Sequence, residues 1–200
     1  MNQSWVLVGG LGGKRNDPDF YALNVMSYVL GGGFSSRLFS KIRSQEGLAY
    51  AVWADWSAGW DRPGTFMAAG GTKTETTVKM LDSIKRELAA VAAAGVTEEE
   101  VSRAKDAILK GFAFEFDSTG KVVRRIMSYE YYGYPPDYLQ RFAENIRKVT
   151  SADVQRVARE NLRDDRLFVL VLGKGKDFDR PLSTLGQVTT IDVTIPPEKP

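Results

Sequence analysis

The stretch 31–50, GGGFSSRLFSKIRSQEGLAY, constrains this chain more than any other. Three glycines open it, and glycine permits backbone angles and close approaches that other residues resist. The spacing of Leu38, Phe39 and Ile42 predicts a short amphipathic helix, with Ser35 or Ser36 as its N-cap and Gly47 as its stop. Arg43 falls in the last turn of that helix and Tyr50 just inside the strand that follows. Read alone, Arg43 is a helix-end charge and Tyr50 a half-buried strand residue. The alternative is that two donors, mounted on rigid elements either side of a tight turn, are aimed at one point.

The rest of the chain supplies a frame for that stretch. Residues 4–9 read as a buried strand running into a glycine-rich turn. The turn is not a phosphate loop, because Lys14 is followed by Arg15 and the first required glycine is Val8. Asp17 as N-cap and Pro18 at the first helical position predict a helix to about Leu30. Gly31, Gly33 and Ser36 imitate a dinucleotide fingerprint, yet they follow a helix and end in serine. Residues 48–56 and 65–71 read as two strands joined through 59–64. The cluster Trp53, Trp56 and Trp60 there reads either as cross-strand packing or as a partly exposed surface meeting a partner or peptide.

Helices are predicted over 76–94, from Glu98 to about Phe116, over 121–132 and 136–148, and from Ser151 to about Leu162. Thr97 with Glu100 is a capping box, and Thr150 with Asp153 is a second capping signature. Glu98, Glu99 and Glu100 answer to the positive end of a helix before they answer to a metal. Residues 166–172 predict a last buried strand. The tail from Lys174 has one alternating piece, 190–195, and a proline-rich end expected to fray. Strands divided by a helical block predict an α+β fold, one mostly antiparallel sheet with helices packed on one face. The expected layout is a single domain over 1–175 and an extended C-terminal tail over 176–200.

Composition narrows the chemistry. Of 200 residues, 43% are hydrophobic, which is enough for one sizeable core. The net charge of +2 comes from interspersed acids and bases, so no basic stripe points to nucleic acid. The longest apolar runs fall far short of a membrane span, and a soluble protein is expected. The chain has neither histidine nor cysteine. Catalytic zinc sites usually take an imidazole, structural ones need Cys or His, and histidine-activated nucleophiles are excluded with them. No metal ligand set and no cofactor is expected in this chain.

The same stretch resembles the signature of the C-terminal, zinc-less half of pitrilysin/insulysin-type zinc metallopeptidases, the inverzincins, close to bacterial processing-peptidase-like members. The shared pieces are Gly31, Gly32 and Gly33, then Ser36-Arg37-Leu38-Phe39, then Arg43 with Gly47-Leu48-Ala49-Tyr50. Further marks are Asp17-Pro18-Asp19, Gly95-Val96-Thr97-Glu98-Glu99-Glu100, Val149-Thr150-Ser151-Ala152-Asp153-Val154 and a final strand ending at Gly173. The resemblance implies an αβ-roll that pairs with a homologous half around a closed chamber for a peptide substrate. It implies that zinc sits in that partner half, on an H-x-x-E-H motif absent here. It also implies that Arg43 and Tyr50 reach the same site, with Gly31, Gly32 and Gly33 forming substrate or partner surface. The isolated chain is then expected to be inactive, as half of a metallopeptidase of the bacterial periplasm or cytoplasm. A non-catalytic scaffold, like the core subunits of respiratory complexes that resemble the family, is the other class open to it.

Overall fold

The computed structural model describes residues 2–194. In chain order the elements are β1 (Gln3–Leu11), β2 (Gly13–Lys14), α1 (Phe20–Gly31), a π-helix (Phe39–Gln45), β3 (Ala49–Trp56), β4 (Ala58–Gly59) and β5 (Thr65–Lys73). They continue with α2 (Thr77–Ala94), α3 (Glu98–Ala113), α4 (Thr119–Tyr131), α5 (Tyr138–Lys148), α6 (Ser151–Asn161) and β6 (Phe168–Leu172). The main sheet has the order β3-β5-β1-β6 with every pair antiparallel, and β2 and β4 form a two-residue parallel bridge beside it. The α+β class with helices on one face is what the structure has.

Period-two alternation decides which face is covered. Ser4, Val6 and Val8 of β1, Val52, Ala54 and Trp56 of β3, and Phe66 and Ala68 of β5 are buried. Against them lie Leu23, Met26 and Leu30 of α1 and Met80, Leu81, Ile84 and Leu88 of α2, with α3 and α6 packed outside. The other sheet face is open among the described residues. Trp5, Trp53, Phe168, Leu170 and Leu172 stand exposed, and Trp5 meets Trp53 edge-on at 6.0 Å.

Several expectations are corrected. The helix α1 starts at Phe20 and not at Pro18: Asp17 accepts from the Asp19 N–H at 2.9 Å as an N-cap would, but the regular helical bonding begins only with the Leu23 N–H on the Asp19 carbonyl. Neither Ser35 nor Ser36 caps the next helix: that helix has no side-chain cap, and the Ser36 hydroxyl is buried without a partner. The strand β6 is not buried. It pairs with β1 alone and forms the sheet edge, and an apolar run looks the same at an edge as at a centre.

The chain beyond Gly173 is not extended throughout. It makes 3₁₀ turns at Gly175–Asp177 and Leu182–Thr184 and docks on α2, where the Asp179 carboxylate accepts from the Val78 and Lys79 N–H groups at 2.8 and 3.0 Å. Arg180 donates through Nη2 to both carboxylate oxygens of Asp82 at 2.6 and 2.8 Å, and Leu182 and Leu185 pack against the core. The alternating piece 190–195 has no regular structure over its first five residues, and the rest of it and the proline-rich end lie outside the described residues.

The three tryptophans separate. Trp56 is buried against Phe20, Trp60 stacks flat on Tyr132 at 4.2 Å, and Trp53 faces outward. Both capping boxes, Thr97 with Glu100 and Thr150 with Asp153, form as the spacing predicts.

Candidate functional site

The site is built from the end of α1 to the start of β3. Gly31 is buried at the last turn of α1, where a Cβ would fall 1.7 Å from the Ala54 backbone nitrogen. Only a glycine lets the helix end lie directly on β3. Gly32 caps the helix through its N–H to the Tyr28 carbonyl at 3.0 Å, and Gly33 turns the chain outward to Phe34. Gly32 and Gly33 are exposed whereas Gly31 is consumed by packing.

The segment that follows is anchored at three points. Leu38 and Ile42 enter the core at 0% exposure. Arg37 forks onto Glu100 at 2.6 and 2.9 Å and donates to the Gly95 carbonyl at 3.0 Å, tying the segment to the start of α3. At the other end Glu46 accepts from the Ser83 hydroxyl at 2.5 Å and from Arg86, tying it to α2. The Arg37 guanidinium, together with the capping hydrogen bonds from Thr97, pulls the Glu100 carboxyl from its ordinary 4.5 down to about 2, against the opposing cost of burial.

Between those anchors the backbone is a π-helix, a form found mostly as short insertions and often at functional sites. Gly47 at φ +63° ends it, and the Leu48 N–H closes on the Ile42 carbonyl at 3.0 Å. The strand then begins with a β-bulge. Ala49 pairs with Thr72 and Ala51 with Gly71, so Tyr50 is an extra residue without a partner. Val52, Ala54 and Trp56, which share its parity, are buried, but Tyr50 is 84% exposed. The bulge is what puts it on the outer face, since one residue of slip exchanges the two faces of a strand.

Arg43 and Tyr50 meet at this edge. The Arg43 guanidinium carbon lies 5.1 Å from the Tyr50 ring centroid and 4.6 Å from that of Phe39. Phe34, 81% exposed, abuts Phe39 edge-on at 5.0 Å. The result is a ladder, Phe34–Phe39–Arg43–Tyr50, running from the glycine turn to the strand. Among the described residues no carboxylate pairs with Arg43 and nothing hydrogen-bonds the Tyr50 hydroxyl. A cation steered by two aromatic faces keeps its N–H groups free for an anion.

Phe34 and Phe39 are the residues that sequence reasoning missed. Phe39 belongs by spacing to the buried stripe, but the wider turn of the π-helix leaves it half-buried on the ladder. Phe34 carried one signal, a large apolar side chain outside any periodic run.

Among the described residues no three His, Cys, Asp or Glu side chains converge as a metal site. With neither histidine nor cysteine in the sequence, the donors present do not fit a zinc ion. Among the described residues no helix is long and apolar enough to cross a membrane.

Comparison with known proteins identifies the family and the fold. The family model described as "Peptidase M16 inactive domain" matches residues 1–108. The chain is 32% identical over 175 residues to an uncharacterised zinc protease of Streptomyces coelicolor, covering 88% of this chain and 38% of that protein. It is 30% identical over 162 residues to a Helicobacter pylori protein named a non-peptidase homolog, covering 80% and 37%. Among solved structures, a peptidase M16 inactive domain from Pseudomonas fluorescens superposes with a TM-score of 0.77 at 26% identity, covering 86% of this chain and 41% of that one. The chain thus spans about two fifths of the length of each of these three proteins.

Proposed function

The chain belongs to the peptidase M16 inactive-domain family, and from that premise we propose that it is the zinc-less half of a metallopeptidase, contributing Arg43 and Tyr50 to a site completed by a zinc-bearing half. That half is either part of the same polypeptide or a separate subunit, and an unfolded peptide is the substrate. Zinc held by the partner would supply Lewis-acid chemistry there. This chain's task is electrostatic. Peptide hydrolysis places negative charge on the former carbonyl oxygen, and donors already fixed toward it lower the barrier without reorganising. Arg43 supplies a permanent cation in fork geometry and Tyr50 a neutral phenol.

The observation that carries this reading is the ladder. Arg43 is oriented by Phe39 and Tyr50, leaving its donors uncommitted, and a bulge spends backbone regularity to expose Tyr50. A structural Arg–Tyr pair would be satisfied locally. The test is to reconstitute the chain with the H-x-x-E-H half and follow cleavage of quenched fluorogenic peptides. Tyr50→Phe is expected to lower turnover by about 10²–10³-fold. Normal turnover with a lowered melting temperature would overturn the catalytic assignment.

A second reading is that the chain is a scaffold half with no catalytic contribution. The name of the Helicobacter pylori relative, a non-peptidase homolog, favours it. In that case both Arg43 and Tyr50 variants leave partner assembly and any turnover unchanged.

A further inference from the structure

We propose that Thr72 is a positioning residue that holds Tyr50 on the outer face of the sheet. Leu48 is the link between the two donors. Its N–H closes the π-helix that carries Arg43, and its carbonyl accepts from the Thr72 hydroxyl at 2.6 Å. Thr72 is itself 4% exposed, and its oxygen lies 2.7 Å from the Thr76 hydroxyl, which also reaches the Lys73 carbonyl at 3.1 Å. With its single proton on Leu48, Thr72 accepts in the contact with Thr76, whose own single proton is shared between Thr72 and the Lys73 carbonyl.

The consequence for Tyr50 follows from the register. Thr72 is the residue opposite Ala49, at the point where the bulge begins. If β3 kept the pairing of Ala51 with Gly71 and lost the bulge, Tyr50 would fall opposite Thr72 and face the helices. The Thr72–Leu48 bond fixes the backbone one residue before Ala49 and so opposes that slip. A buried carbonyl deprived of its only side-chain donor favours any rearrangement that finds another.

The proposal rests on the assigned role of Tyr50 for its meaning but not for its test, which reads geometry without catalysis. The chain is treated with tetranitromethane and the nitration rate of Tyr50 is measured by peptide mass mapping. Tyr131, 82% exposed and on α4, serves as internal reference. In Thr72→Val, which keeps the shape and loses the hydroxyl, the Tyr50 rate relative to Tyr131 is expected to fall roughly fivefold or more. Thr72→Ser restores it. Thr76→Val, on a half-buried residue and so safer for folding, gives a smaller fall in the same direction.

Unchanged relative reactivity of Tyr50 in a folded Thr72→Val or in Thr76→Val overturns the proposal, whatever happens to the melting temperature. If instead the nitration result holds while Tyr50→Phe has normal turnover in the reconstituted enzyme, the positioning stands and the catalytic reading of Tyr50 falls.

Discussion

Arg43 is held by the faces of two rings, and such contacts are weak individually, about 0.5–1 kcal/mol at exposed sites. Removing one therefore alters aim more than stability. Phe39→Leu is expected to leave the melting temperature nearly unchanged and to lower turnover in the reconstituted enzyme. Arg43→Lys keeps the charge and loses the fork, so it should lower turnover by about tenfold or more with little effect on thermal unfolding. Circular dichroism melts and peptide cleavage on the same samples separate the two effects. Gly31→Ala is the opposite kind of change. The added methyl meets Ala54 backbone rather than a yielding side chain, so α1 must move off β3, and destabilisation of about 2–3 kcal/mol is expected in urea unfolding.

At the scale of elements, the π-helix and its flanks are fastened to two helices by charged contacts, and one of these has a pH signature. The Glu100 carboxyl titrates near 2 when folded and at an ordinary 4.5 otherwise. A depressed carboxylate stabilises the fold fully above its unfolded value, and that contribution is lost as pH falls through the folded one. Its share, about 1–2 kcal/mol once solvent screening of this partly exposed pair is allowed for, should fade between pH 4.5 and 2. Glu100→Gln should therefore be less stable than the parent at pH 7 by up to that amount, with the gap closing on acidification. Guanidinium unfolding at pH 7 and pH 3 measures both; a gap that stays constant over that range would remove the Arg37–Glu100 contact as its cause.

For the whole molecule, the segment after β6 is a structural part and not a loose end. Thr76, the residue before α2, makes no side-chain cap, and Asp179, about a hundred residues away in sequence, satisfies two of the orphan N–H groups of that helix instead. The folded unit is accordingly expected to run to about Leu185, ten residues past the boundary expected from the sequence. Truncation after Gly173 should lower the melting temperature by several degrees, since it removes a cap and the Arg180–Asp82 pair. Truncation after Leu185 should leave it unchanged. Expressed alone, the chain is expected to carry no stoichiometric zinc and to cleave no peptide, which elemental analysis and a fluorogenic assay check.

What the sequence determined by itself were features closed by near neighbours. Capping boxes three residues apart, helices with a 3.6-residue stripe and strands with a two-residue alternation all report on contacts within a turn or a pleat, which is why the element order and the α+β class were readable. Arg43 and Tyr50 were reachable as candidates because they flank a local glycine stop at Gly47, and because the stretch resembles a known family. Tertiary structure alone decided where those two side chains point. Tyr50 faces out where β3 bulges against β5, between the pairs Ala49–Thr72 and Ala51–Gly71. Phe39 sits half-buried at the start of a π-helix held between anchors on α2 and α3. The exposure of β6 and the capping of α2 by Asp179 are likewise set by long-range pairing. Face, register and capping from a distance depend on which segments become neighbours, and a linear pattern of apolar and polar residues carries no record of that.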